Sequence, residues 1–406
     1  MRDQRRILAL TVLLGLCVSL AGLANAGWIH WYDHEGEVQV CTVLMMEDEL
    51  WLVGTSITSQ DPLDEGIVVF RVQPDGTLNY AMSYDWDGVQ GAADAVITAE
   101  DRIFFAGRTD TYGAVGSDMY VLQTDLSGQT LSEWVIGDML EESVTRIVLG
   151  SQGDYFIVGN QMNPSFVVAG AETPGYAGPE FNTSPYVARI AADGTTVWKK
   201  DYATLSNRVV FDAVPTSTGG CFLLCTVYDV PNADAIQLNR LTDTGGTMWQ
   251  RNFAEGRSEG YALHGLDGGW LLIAGSRTPA DSASLQALLM MVSATGSEVW
   301  SRTFGEPDQF SSLHTVIETR DGLFVAAGKQ YAEDAEYQDS VYLVCVDMNG
   351  ELQWEQTVPT GAHVTVDALI ELPDGGLLVA GSGAAADGPS RAMLIRVDPP
   401  VQDKTE

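Results

Sequence analysis

Seven residues recur at one place in the chain and include the groups best suited to chemistry. Each lies thirteen or fourteen residues before the residue that ends a short apolar run. We call that residue the marker; it is glycine in six of the seven repeats and cysteine in one. The seven residues are Cys41, Asp94, Thr145, Asp212, Tyr261, His314 and Asp367. Three carboxylates, a histidine and a phenol in one ring could bind a cation or a polar small molecule. Alternatively, each aspartate accepts hydrogen bonds from nearby backbone amides, which would lower its pKa and make its role structural.

Other candidate sites are less complete. Asp85, Asp87 and Asp94 lie in the segment YDWDGVQGAAD and form a calcium candidate, because Ca²⁺ prefers oxygen ligands, although the spacing lacks a full calcium-loop pattern. His264, His314 and His363 stand at different distances from their markers, which argues against a shared zinc site. The sequence contains no GxSxG, HExxH or phosphate-loop motif. We therefore expect no catalytic residue and no cofactor other than the calcium candidate.

A repeated hairpin must position the seven residues. LPDGGLLVAGS (372–382) and LDGGWLLIAGS (266–276) are two of its seven copies. The markers are residues 54, 107, 159, 225, 275, 328 and 381, so the spacing is 50–53 residues with one interval of 66. A period near 50 residues with several short strands is typical of a β-propeller. The copies predict strands A and B of seven blades.

A second repeated unit predicts strands C and D. YVARIAADGTTVWKKDY (186–202) is one copy, with an apolar strand, a glycine turn and a strand that carries tryptophan. GWIHWYD (27–33) is a D strand without a C strand, and AMLIRVD (392–398) is a C strand without a D strand. Pairing of these two segments would complete a seven-bladed ring of four-stranded antiparallel blades and remove an open sheet edge. The longest loop on the face opposite the tight turns is 160–184.

These repeats resemble a known group of proteins. VDALIELPDGGLLVAGS with VYLVCVDMNGELQW resembles the repeats of secreted bacterial β-propeller proteins, and the Gly-x-x-x-Trp steps resemble the tryptophan-docking repeats of quinoprotein-like propellers. The resemblance covers nearly all of the chain after residue 26 and implies the fold, which hosts enzymes, assembly factors and lectins alike. The sequence lacks the adjacent cysteine pair that accompanies pyrroloquinoline quinone in the dehydrogenases, so that cofactor is not expected. The tryptophans expected to pack between blades are Trp198, Trp249, Trp300 and Trp354.

The N-terminus has the composition of a secretory signal peptide. MRDQRR is basic, an apolar run follows, and ANA precedes Gly27, which predicts cleavage after Ala26. We expect a propeller over 27–400, a disordered tail over 401–406, and a secreted or periplasmic location. No later apolar run reaches the ~18 residues that a membrane span needs.

Charge and cysteine content limit the partners. The net charge is −34, and removal of three arginines and one aspartate with the signal peptide makes it −36. Such a charge argues against nucleic acids and anionic membranes as partners. Cys221 and Cys225 lie too far apart on one strand, about 13 Å, to form a disulfide with each other. We expect these two cysteines, Cys41 and Cys345 to be buried free thiols.

Two classes of function are compatible with the sequence. The first is an exported, monomeric, non-catalytic scaffold that binds a protein or glycan through the face with the longer loops. The alternative is a secreted propeller enzyme, either a polysaccharide lyase or a quinoprotein-like dehydrogenase, that uses the mouth of the channel. Titratable groups with perturbed pKa values that converge in one pocket would favour the enzyme, and a broad surface without such convergence would favour the scaffold.

Overall fold

The fold consists almost entirely of β-strands. The computed structural model describes residues 26–400 except 61–62, 85–87, 112–115, 139, 152, 165–180, 205, 229–233, 254–255, 280–283, 333–337 and 386–387. These residues form 28 strands and one short 3-10 turn, Asp267–Gly269, and the strand pairs within the sheets are antiparallel. Residues 1–25 of the predicted signal peptide and the predicted tail 401–406 lie outside the described part.

Five sheets contain four strands each, hydrogen-bonded in chain order. The first has β2 (Glu37–Met45), β3 (Leu50–Gln60), β4 (Leu63–Val72) and β5 (Leu78–Tyr84). The second has β6 (Gln90–Ile97), β7 (Arg102–Thr109), β8 (Asp118–Asp125) and β9 (Thr130–Ile136). The third has β10 (Glu141–Leu149), β11 (Tyr155–Pro164), β12 (Phe181–Ile190) and β13 (Thr196–Asp201). The fourth has β14 (Asn207–Pro215), β15 (Cys221–Tyr228), β16 (Ala235–Leu241) and β17 (Thr247–Phe253). The fifth has β18 (Arg257–Gly265), β19 (Leu271–Thr278), β20 (Gln286–Val292) and β21 (Glu298–Phe304).

The sixth sheet has eight strands and holds both ends of the described chain. Its strands are β22 (Gln309–Glu318), β23 (Phe324–Ala332), β24 (Asp339–Val346), β25 (Leu352–Val364), β26 (Ala368–Glu371), β27 (Leu377–Ala384), β28 (Arg391–Val397) and β1 (Ala26–Tyr32). Only two residue pairs, His363–Ala384 and Val364–Gly383, join β25 to β27. The sheet is therefore two groups of four strands, which meet where the long β25 runs on into the next inner strand. β1 pairs with β28, as predicted for residues 27–33 and 392–398.

A β-bulge recurs in the first strand of each unit, opposite the marker position. One residue of the first strand is left out of the pairing, so two residues oppose one on the second strand. The carbonyl two residues before the bulged residue comes so close that a Cβ atom on the marker glycine would collide with it, as Gly91 O does at Gly107 and Ser312 O does at Gly328. This close approach explains why the marker is glycine in six units. Cys225 takes the place in the fourth unit, and nothing in the structure explains the exception.

Tryptophan side chains pack one unit against the next. The rings of Trp198, Trp249 and Trp300 lie against the turn glycine between the third and fourth strands of the following unit. The four tryptophans were expected to be largely buried; Trp300 is, with 8% exposed, whereas Trp198, Trp249 and Trp354 are only half-buried. Trp28 and Trp134 make the same contact and were missed, because neither stands four residues after a glycine.

The predicted loop 160–184 is shorter than expected. β11 and β12 continue into its two ends, where Asn163 pairs with Asn182. Residues 165–180 of this loop lie outside the described part. The four cysteines among the described residues are free thiols, and Cys221, Cys225 and Cys345 are buried as predicted. Cys41 is partly exposed because it is the bulged residue of β2.

Candidate functional site

The seven residues predicted to form one ring occupy two different positions: some are the bulged residue of their strand, and others are the residue after it. Asp94 and Asp212 are the residues after the bulge, whereas the bulged residues of their strands are Ala93 and Phe211. We call the seven bulged residues the bulge tier. It consists of Cys41, Ala93, Thr145, Phe211, Tyr261, His314 and Asp367. All seven side chains of the bulge tier are partly exposed, whereas Asp94 and Asp212 are buried. The tier residues, and not these two aspartates, are therefore accessible to a ligand. Phe211 was missed because the count from the marker allowed one residue of slack.

Asp94 and Asp212 hold successive units together. Asp94 accepts hydrogen bonds from the amide of Ala95 in its own unit, at 2.9 Å, and of Ile147 in the next, at 3.0 Å. Asp212 repeats the pattern with the amides of Ala213 and Leu263, at 2.8 and 2.7 Å. Both carboxylates therefore have the structural role that the sequence left open as one of two alternatives.

Arg146 lies between these two carboxylates. Its Nε donates to Asp212 Oδ1 at 2.8 Å, and its other end is 3.5 Å from Asp94 Oδ1. Burial raises the pKa of Asp94 from 3.8 to about 6, although Arg146 and two amides favour the ionised form. The expectation that amide hydrogen bonds would lower the pKa of such a carboxyl is wrong for Asp94, because the cost of desolvation is larger.

Asp367 differs from the other two aspartates. Its carboxylate accepts a hydrogen bond from the Thr365 hydroxyl at 2.6 Å, and no amide of a described residue in the next unit donates to it. Burial raises the pKa of Asp367 to about 6. Thr145, by contrast, is engaged within the fold, since its hydroxyl donates to the carbonyl of Val210 at 3.3 Å. Of the three aspartates in the predicted ring, Asp367 thus has the most capacity to accept a ligand.

Three aromatic rings follow one another along the tier. Phe211 meets Tyr261 edge-on, with centroids 5.4 Å apart, and Tyr261 stacks on His314 at 4.5 Å with 10° between the ring planes. The Tyr261 hydroxyl donates to Glu259, and His314 Nε2 is 2.8 Å from the Ser312 hydroxyl oxygen. Burial lowers the pKa of His314 to about 4, so the ring is neutral at pH 7.

A pocket of about 510 Å³ adjoins the tier at Asp367. Its polar lining consists of Gln39, Lys329, Asp339, His363, Thr365, Asp367, Ser382 and Ser390. A second pocket, of about 390 Å³, is lined by Asp94, Arg146 and Asp212 together with apolar side chains. The first pocket has the size of a small-molecule site with a few polar groups.

The metal candidates are not brought together. Asp85 and Asp87 lie outside the described residues, and Asp94 already bonds two amides and contacts Arg146. His363 pairs with Asp339 at 3.3 Å, whereas His314 stacks on Tyr261. In the described part of the chain, no three histidine, cysteine, aspartate or glutamate side chains are placed to hold one ion. Burial raises the pKa of each of the four cysteine thiols, so none is an activated nucleophile.

Known proteins resemble this chain only at the level of fold. No family model and no curated protein matches it. Among solved structures, puromycin hydrolase is 12% identical, with 87% of this chain and 60% of that chain covered and a TM-score of 0.44. The Pyrococcus horikoshii acylaminoacyl peptidase is 12% identical, with 88% and 50% covered and a TM-score of 0.47. The β-propeller domain of the Trilobed protease from Pyrococcus furiosus is 11% identical, with 90% and 94% covered and a TM-score of 0.47.

The chain has a β-propeller fold. It spans about half to three-fifths of the length of the first two enzymes. Because these neighbours are hydrolases and peptidases, the prediction of a non-catalytic scaffold for a protein or glycan is wrong, and it is not pursued. Identities near 12% and TM-scores below 0.5 transfer no activity to this chain. The secreted quinoprotein-like family is not confirmed, and among the described residues no helix has the length and apolarity to cross a membrane.

Proposed function

We propose that residues 27–400 form a closed ring of seven blades around a central channel, exported after loss of residues 1–26. Contacts across the join support closure. The first strand of each unit contacts that of the next, and β26 contacts β2. The amide of Val38 donates to the Ser390 carbonyl at 2.9 Å, and the Val40 amide donates to the Ser382 hydroxyl at 2.6 Å.

A repeated tyrosine contact supports the same closure. The Tyr84 hydroxyl donates to the carbonyl of Gly128 in the next unit at 2.8 Å, and Tyr202 does the same to Gly245 at 2.9 Å. Tyr32 of β1 makes this bond to Gly76 of the first sheet at 2.7 Å. β1 therefore packs on the first sheet in the way that the last strand of one blade packs on the next blade.

We further propose that the channel binds a small organic cation at the bulge tier. The observation that carries this proposal is the order of groups along the tier, in which the rings of Phe211, Tyr261 and His314 are followed by Asp367. Aromatic faces attract cations, by ~0.5–2 kcal/mol per ring. His314 carries no opposing charge at pH 7, and the ionised Asp367 supplies a direct partner. The net charge of −34 raises the local concentration of cations around the chain.

Binding of benzyltrimethylammonium to the chain, measured by isothermal titration calorimetry, tests this proposal. We expect Asp367→Asn to weaken binding about tenfold or more, since a hydrogen bond or ion contact to a charged group contributes ~1.5–3 kcal/mol. The control is Asp308→Asn, which neutralises an exposed carboxylate outside the tier. Unchanged affinity in Asp367→Asn, or an equal loss in both variants, would show that the cation binds elsewhere.

The same titration has a defined pH dependence. The pKa of Asp367 is raised to about 6, so its carboxylate is ionised at pH 7.5 and about 90% protonated at pH 5. Affinity should therefore be about tenfold lower at pH 5 than at pH 7.5 in the unmodified chain. Asp367→Asn should show no such loss; a loss of the same size in that variant would assign the titration to another group.

A further inference from the structure

Resting on the proposed cation site, we propose that the ligand is a zwitterion of the α-amino acid class. Its ammonium group would bind Asp367 and its carboxylate would bind Lys329. The two side chains line the same pocket of about 510 Å³, which has room for a molecule of this size. Residue 329 is a lysine where several other units have a short polar side chain, and the pocket contains charges without an ion-pair partner among the described residues.

The residue after each marker usually bonds the first strand of the next blade. The Thr55 hydroxyl accepts from the Ala92 amide at 2.9 Å. Asn160 Oδ1 accepts from the Val210 amide at 2.8 Å, and Ser382 accepts from Val40 in the same way. Short polar side chains suit this position because the acceptor must lie close to the neighbouring backbone. The position therefore has a structural role in several blades.

Lys329 occupies this position in the sixth unit and cannot fill the same role. Its ammonium group is a donor only and stands at the end of a four-carbon chain, so it cannot accept from an amide. Arg108 is the other cation at this position, and Glu65 neutralises it at 2.6 Å. No described carboxylate lies within 4.0 Å of the Lys329 ammonium, which stands 5.8 Å from the centre of the Tyr331 ring. The sixth unit thus places an unneutralised positive charge on the wall of the pocket.

The other charged groups of this pocket are already engaged. Asp339 is 3.3 Å from His363 and accepts a hydrogen bond from the Val364 amide at 3.1 Å. In the described part of the chain, Asp367 and Lys329 are the two charges of this pocket without an ion-pair partner within 4.0 Å, although the charges of Arg146 and Lys329 both favour the ionised form of Asp367. Because both side chains line one pocket, a single ligand that carries both charges would satisfy both.

Electrostatics favour a zwitterion over a simple ion. A lone anion at Lys329 would be repelled by Asp367 and Asp339, and a lone cation at Asp367 would be repelled by Lys329. A ligand with both charges gains both contacts. Val40, Val364 and Ala384 line the same pocket and offer an apolar wall to the side chain of the ligand, which favours an aromatic or aliphatic amino acid.

Calorimetric titration with three related probes tests this inference. L-Phenylalanine carries both charges, phenethylamine carries only the ammonium group, and 3-phenylpropionate carries only the carboxylate. We expect phenylalanine to bind at least tenfold more tightly than phenethylamine, and 3-phenylpropionate not to bind. Lys329→Met and Lys329→Gln should each remove the advantage of phenylalanine and leave phenethylamine equally tight or tighter. Lys200→Met, at an exposed lysine, is the control and should change neither affinity.

The outcomes separate this inference from the proposed function. If phenethylamine binds and phenylalanine binds no more tightly, the zwitterion is wrong and the cation site stands. If neither phenethylamine nor phenylalanine binds, both proposals fail. If phenylalanine keeps its advantage in both Lys329 variants while thermal melting shows them folded, the assignment of Lys329 to the carboxylate is overturned.

Discussion

At the scale of single residues, the position of an aspartate relative to the β-bulge determines whether its carboxylate bonds the fold or is available to a ligand. Asp94 and Asp212, one residue past the bulge, turn toward the backbone of the next blade and are saturated by amides and Arg146. Asp367, at the bulge itself, keeps a carboxylate with one hydroxyl donor. A difference of one residue in register thus decides whether an aspartate supports the fold or can accept a ligand.

Replacement of Arg146 by methionine should destabilise the protein in a pH-dependent way. Removal of one partner of a buried ionic cluster costs about 3–5 kcal/mol, because the remaining charges lose their compensation. Asp94 already has its pKa raised to about 6 from 3.8, and the loss of Arg146 would raise it further. The cost of burying its charge is therefore present above this further raised pKa and declines as the pH falls through it and the group takes up a proton.

Urea denaturation at pH 7.5 and pH 5 measures this effect. Relative to the unmodified chain, Arg146→Met should lose about 3 kcal/mol at pH 7.5 and clearly less at pH 5. Asp308→Asn again serves as the surface control. A loss that is the same at both pH values would mean that Arg146 acts through packing and not through the two carboxylates.

At the scale of the elements, each blade depends on its neighbour. The seven apolar clusters combine residues from successive units, as where Phe222 and Leu224 pack with Leu263 and Leu271. Trp300 adds a ring against Gly350 and donates from Nε1 to the Met348 carbonyl at 3.0 Å. Trp354 is followed by a unit whose third and fourth strands, β28 and β1, come from the two ends of the described chain and are not joined by a turn, so the described residues offer no turn glycine for it to cover.

Truncation of these two tryptophans should therefore have unequal effects. Trp300→Ala should cost about 3–5 kcal/mol of unfolding free energy, since a buried large ring is replaced by a cavity. Trp354→Ala, at a half-buried ring without the glycine contact, should cost roughly half as much or less. Chemical denaturation of both variants measures the difference. Equal losses would show that the turn contact does not contribute to stability.

At the scale of the whole molecule, much of the fold could be predicted from the sequence. The hairpin period predicted the four-stranded units, and the unmatched strands at 27–33 and 392–398 predicted the pairing of β1 with β28. The joining of two units into one sheet through His363 and Val364 could not be predicted, because it depends on how far β25 continues beyond its turn.

The candidate site was predicted less completely than the fold. Counting from the marker identified Tyr261, His314 and Asp367 but placed Asp94 and Asp212 on the wrong tier, since a bulge adds a residue that the hydrophobic pattern does not reveal. Lys329 was missed because it stands out only by comparison with the other blades. There, the residue after the marker accepts a hydrogen bond from the next blade, which the sequence alone does not reveal.

The most direct test of the account is to locate a cation in crystals of the protein. Crystals soaked with (4-bromobenzyl)trimethylammonium can be measured at the bromine absorption edge, so that anomalous density marks the ligand. We predict one peak in the channel, with the ammonium group beside Asp367 and within about 6 Å of the ring of Tyr261 or His314. Soaked crystals of Asp367→Asn should lack it. A bromine peak only on the outer surface, or the same channel peak in Asp367→Asn, would contradict the account.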